Sequence, residues 1–242
     1  MRHTAEPKLA EGASGRDLEV RSSWMSVENE SIAQDVRECR NAVALGVLFT
    51  VYFGFRSGCL VVLPMASKEL LKTDLHDQQY SALYQLPLAL WFAMDILLAA
   101  PNAHAMRRWG RRPGFIAGAC GSFVGSLCAF AVLRYCRQPR VAFVLLNASI
   151  AVMSMIGMSE FVRYAAAEAC SDPERKSVVV SRVVSGGAIC SAVGPLSASA
   201  AASMATGNTL DGFALFFLGA AGFSVLAMAA AASLRLPPVG GA

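Results

Sequence analysis

The sequence predicts an all-α membrane protein built as a bundle of six transmembrane helices, and three observations carry that expectation. Of 242 residues, 55% are hydrophobic and only 16% charged, where an ordinary soluble domain carries about a quarter charged residues. The apolar residues are gathered into six long blocks separated by short polar connectors. The blocks show no period-two alternation and far exceed the roughly ten residues of a membrane β-strand, which makes strands a poor alternative.

A tail precedes the first block. Residues 1–40 hold six basic and eight acidic side chains and no apolar core, so they resemble neither a secretory signal nor a transit peptide. They are expected to be a disordered cytosolic tail, followed by a transmembrane domain over 41–235 and a short tail over 236–242.

A spanning helix needs roughly 20 mostly apolar residues to cross about 30 Å of hydrocarbon. The blocks that meet this are 41–66, 80–100, 113–133, 141–167, 177–204 and 212–234. In the first, Gly54 and Gly58 lie four apart, one helical turn, and permit a close helix approach. The second ends where PNAHAMRRWGRR reads as a connector. Pro113 suits the first turn of the third helix, whose Gly114, Gly118, Gly121 and Gly125 stack on one face as a packing surface. The fourth is bounded by RYCRQPR and CSDPERK, which read as connectors. The fifth is the weakest helix, because Gly186, Gly187, Gly194 and Pro195 interrupt it, and the sixth is rich in Ala and Gly, which implies tight bundling.

Orientation follows from Lys and Arg in the flanks. With the N-terminus inside, inner segments near the membrane hold Arg21, Arg37, Arg40, Arg107, Arg108, Arg111, Arg112, Arg175, Lys176 and Arg235, whereas outer loops hold Lys68, Lys72, Arg134, Arg137 and Arg140. Ten against five places both termini in the cytosol, in a multi-pass protein whose partner is the lipid bilayer.

Several function classes drop out. The formal charge of +4 sits in short clusters without interleaved aromatics, so no nucleic-acid partner is expected. Seven scattered cysteines form no CxxC pair, and His3, His76 and His104 stand outside the apolar blocks, so neither metal nor cofactor is expected. With no clustered ligands and no nucleophile beside a base, an enzyme is not expected.

Ionisable residues within hydrocarbon cost at least about 2.5 to 3.5 kcal/mol each at a helix centre and are the informative ones. Counted from the inner helix ends, Asp95, Glu160, Arg163 and Arg182 fall at similar depth and suggest a paired network. It reads either as an inner gate that forms and breaks or as a static network that aligns helices. Arg56 lies near the midplane with no other charge expected at its depth, which suggests a solute or counter-ion contact; the competing account is a structural ion pair with Asp95, which is expected several residues closer to the cytosol. Its polar neighbours at plausible depth are Tyr52, Gln85 and Asn147. A planar guanidinium binds a carboxylate with two hydrogen bonds, so an anionic small-molecule substrate is expected.

The connector AHAMRRWGRR resembles the signature loop of the major facilitator superfamily, commonly G-x-L-A-D-R-[FY]-G-R-R. Arg108, Gly110, Arg111 and Arg112 match it, Trp109 stands for the aromatic and Ala103 for the first glycine; Arg107 occupies the place of the family's acid. FVRYAAAEACSDPERKS and the Gly194–Pro195 pair are similar to segments of bacterial members. The resemblance covers 41–235 and implies the N-terminal half of a twelve-helix transporter, with 3+3 inverted repeats around a midplane site that opens alternately to each face. It implies transport of a small solute by a chain that needs a homodimer or a partner half. The rival expectation is a truncated, non-transporting membrane protein or partial gene product of the same family.

Overall fold

A computed structural model describes residues 15–72, 78–170, 172–204 and 209–236. The chain divides into two units, Met1–Cys39 and Arg40–Ala242. In the first, the described residues are helical from Gly15 onward, the beginning of α1 (Gly15–Leu71). The stretch 15–40, expected as a tail, is thus helical, while 1–14 lie outside the described residues. Gln34 and Glu38, one turn apart, are joined by a 3.3 Å hydrogen bond.

The second unit is all-helical among the described residues. After the remainder of α1 come a 3₁₀ segment (Gln78–Gln85), α2 (Leu86–Trp109), α3 (Arg111–Tyr135), α4 (Pro139–Met153), a second 3₁₀ segment (Ser154–Phe161), α5 (Val162–Ala169), α6 (Pro173–Ser203) and α7 (Thr209–Ser233). These make six helices long and apolar enough to cross a membrane, with α4, the second 3₁₀ segment and α5 forming one span, Pro139–Ala169.

Three boundaries depart from expectation. The second span continues to Trp109, so most of the supposed connector PNAHAMRRWGRR is helix. Pro101 does not end it, because a proline is tolerated in a membrane helix where packing re-satisfies the freed backbone groups, and Asn102 beside it is buried. The link from α2 to α3 is Gly110 alone, with φ +92°, a conformation that glycine adopts without a Cβ penalty. The fifth span is unbroken from Pro173 to Ser203. Its glycines serve contact rather than interruption: Gly187 lies against Phe49, and Gly194 against Ser57 and the backbones of Gly54 and Gly58. There α6 crosses α1 with no room for a side chain. The fourth span contains the tighter 3₁₀ turns, which no sequence signal announced.

The glycine face of α3 packs as its spacing predicts. Gly114 faces Met106 of α2, Gly118 and Gly121 face Met155 and Met158, and Gly125 faces Met153 and Ser149. The adjoining face of α3 meets α7, where Ser122 and Ser224 share a buried 3.0 Å hydrogen bond. The ends of the bundle are fastened by Asn41, whose Nδ2 donates to the Arg235 carbonyl and whose Oδ1 accepts from the Arg235 N–H, both at 3.0 Å. An even number of spans brings those two positions to the same end.

Candidate functional site

Three spans contribute ionisable groups to one cluster. Arg56 sits near the middle of the apolar part of α1, and Asp95 lies midway along the second span now that this span reaches Trp109. Glu160 comes from the 3₁₀ segment of the fourth. Arg56 Nη1 lies 2.7 Å from Glu160 Oε1 and 3.5 Å from Asp95 Oδ2. One turn before Arg56, the Tyr52 hydroxyl accepts a short hydrogen bond from it and donates to Glu160 Oε1 at 2.7 Å. One turn before Asp95, the Trp91 indole N–H donates to Asp95 Oδ2 at 3.1 Å. The guanidinium also lies over the Phe92 ring, 5.5 Å from its centroid.

The expectation that Arg56 stands without a charge at its depth is thus corrected. It arose from ending the second helix at Ala100, which placed Asp95 too near the cytosol. The gating network is regrouped in the same way. Asp95 and Glu160 are brought together, but by Arg56; Arg163 reaches Glu160 only at 3.9 Å from an exposed position. Arg182 is exposed on α6, and among the described residues no ion pair or hydrogen bond joins it to the cluster. Of the polar neighbours, Tyr52 belongs to the site. Gln85 is exposed and outside it. Asn147 bonds to its own helix at the Phe143 carbonyl, and its Oδ1 is buried without a partner.

The 3₁₀ geometry explains why Glu160 reaches the cluster. Residues three apart eclipse in a 3₁₀ helix, so Met155 and Met158 stack toward α3 while Gly157 and Glu160 share another face. Gly157 lies against Asp95 Oδ1, an oxygen that is buried and has no hydrogen-bond partner. Two carboxylates therefore flank one guanidinium, and one carboxylate oxygen has spare acceptor capacity.

No family model, curated protein or solved structure matches the chain.

The signature-loop residues have separate placements. Gly110 makes the single-residue turn, Arg111 pairs with Glu168 at the end of α5, and Arg107, Arg108 and Arg112 are exposed. Trp91 and Gly157 were missed from sequence. Trp91 was detectable: Trp91–Asp95, like Tyr52–Arg56, is an i, i+4 pair, the spacing at which helical side chains meet.

Proposed function

We propose that this chain is a six-helix half of a secondary transporter of the major facilitator type, moving a small solute across a membrane by alternating access. The observation that carries the reading is the meeting of Arg56, Asp95 and Glu160 from three apolar spans, within the spans rather than at their ends. Intramembrane charges of this kind mark solute or proton pathways.

Their balance sets the substrate class. An anionic solute was expected while Arg56 stood alone, but a guanidinium already held by two carboxylates offers a second anion little. The excess carboxylate, together with the unpartnered Asp95 Oδ1, favours a proton or a small organic cation. The basic asymmetry of the flanks supports cytosolic termini.

Exposure supports a partner. Glu160 and Arg163 keep 35% and 51% of their side chains uncovered in the single chain, which lipid would penalise by several kcal/mol. A second copy or a partner half would cover this face and enclose an aqueous path along it.

Two measurements test the reading. Native mass determination in mild detergent is expected to give a dimer or a complex with a second half. Proteoliposomes enclosing a pH-sensitive dye are expected to acidify under an imposed potential, and Glu160→Gln is expected to stop it. A strict monomer without proton movement in either form would instead support a non-transporting protein whose charge cluster only aligns helices.

A further inference from the structure

Two cavities outside the charge cluster lie side by side. A cavity of about 470 Å³ lies between α1, α6 and α7, with Gly54, Val193, Ala200 and Gly219 among its walls. A second, of about 290 Å³, lies between α3, α6 and α7 and includes Arg134 and Asp211. Met204 and Leu215 line both, so the apolar trough adjoins a charged mouth where α3 ends and α7 begins. The α6 wall from Cys190 to Met204 is about 20 Å long at 1.5 Å per residue, enough to traverse one leaflet of a hydrocarbon core about 30 Å thick.

The mouth carries both signs. Arg134 Nη1 lies 2.5 Å from Asp211 Oδ1, and the two side chains are 48% and 32% exposed. A guanidinium has five donors and a carboxylate about four acceptor positions, so their mutual bond leaves capacity on each. The guanidinium suits a phosphate and the carboxylate suits an ammonium group. A headgroup of one sign alone would be repelled by one partner of the pair.

We propose that the two cavities bind one phospholipid with a zwitterionic headgroup, its acyl chain in the trough between α1, α6 and α7 and its phosphate and ammonium groups on Arg134 and Asp211. The site is separate from the Arg56 cluster and requires only that the helices cross a bilayer, so its failure and the failure of the transport reading are distinguishable.

Gly219 supplies the decisive variant, because it lines the trough and a Cβ built there meets nothing within 4 Å, so a longer side chain starts from open space. The full chain, delipidated in mild detergent, is titrated with phosphatidylethanolamine, phosphatidylglycerol or inorganic phosphate and read by native mass spectrometry. The wild type is expected to take up one phosphatidylethanolamine, about tenfold more tightly than phosphatidylglycerol, and no phosphate adduct. Gly219→Leu is expected to lose the adduct while its lipid-free melting temperature holds. A double Arg134→Gln, Asp211→Asn variant is expected to retain a lipid but lose the preference between headgroups. Undiminished binding in Gly219→Leu overturns the acyl-chain assignment, and equal retention of both lipids by the wild type overturns the headgroup assignment. The wild-type ratio needs no variant, so it decides even if Gly219→Leu does not fold.

Discussion

Gly194→Ala adds one methyl group at the crossing of α6 and α1, and the contacts there set the size of the effect. A Cβ at this position would overlap Ser57 Oγ, the Gly54 carbonyl oxygen and the Gly58 nitrogen. Only the serine can turn away; the other two are backbone, so the helices themselves must separate. Overpacking of this kind costs about 1–3 kcal/mol, and the backbone contacts place it toward the upper end. Removing a helical glycine returns about 0.5–1 kcal/mol, which leaves a net loss of about 2 kcal/mol. At roughly 2–4 °C per kcal/mol for a chain of this size, thermal unfolding followed by circular dichroism should show a fall of about 4–8 °C. Gly222→Ala is the matched control, since nothing lies within 4 Å of a Cβ there, and it should raise the midpoint by about 1–4 °C. Equal midpoints for the two variants would refute the close crossing.

Three further outcomes are expected. In a double-mutant cycle, Arg56→Gln and Glu160→Gln should couple by about 1–3 kcal/mol, whereas Arg182→Gln with Glu160→Gln should be additive; strong coupling to Arg182 would restore the network first read from sequence. Asn41→Ala removes both hydrogen bonds to Arg235 and should cost about 1–3 kcal/mol, measured as a lowered unfolding midpoint; an unchanged midpoint would show that the clasp at this end adds nothing. Impermeant thiol labelling of an otherwise cysteine-free chain should reach a probe beside Arg137 and miss one beside Arg111, and the reverse pattern would invert the proposed topology.

Six spans were legible because hydrocarbon thickness imposes a length that composition reveals directly. Helix contacts were legible where small residues recur at helical spacing, as with Gly114 to Gly125 on α3. What escaped depended on single boundaries. Pro101, Asn102 and His104 look like a loop by residue type, yet a membrane helix accommodates them, and ending the helix early misplaced Asp95 in depth. That one shift made the Arg56–Asp95 ion pair look like the weaker account and set Asp95 at the level of Arg182. Depth alone also says nothing of azimuth, so Arg182 could share a level with the acids while facing elsewhere.

The 3₁₀ turns at Ser154–Phe161 tie charge pairing to helical pitch. A 3₁₀ helix advances about 2.0 Å and 120° per residue and an α-helix about 1.5 Å and 100°. Over the five steps from Met155 to Glu160, relaxation to α geometry would turn the glutamate by about 100° and draw it back about 2.5 Å relative to the methionine anchored on α3. Such a turn carries Oε1 away from both Arg56 and Tyr52 while the glycine face stays seated. In this span the winding of a few residues decides whether the glutamate faces the guanidinium, so the pitch of Ser154–Phe161 is part of the geometry of the ion pair.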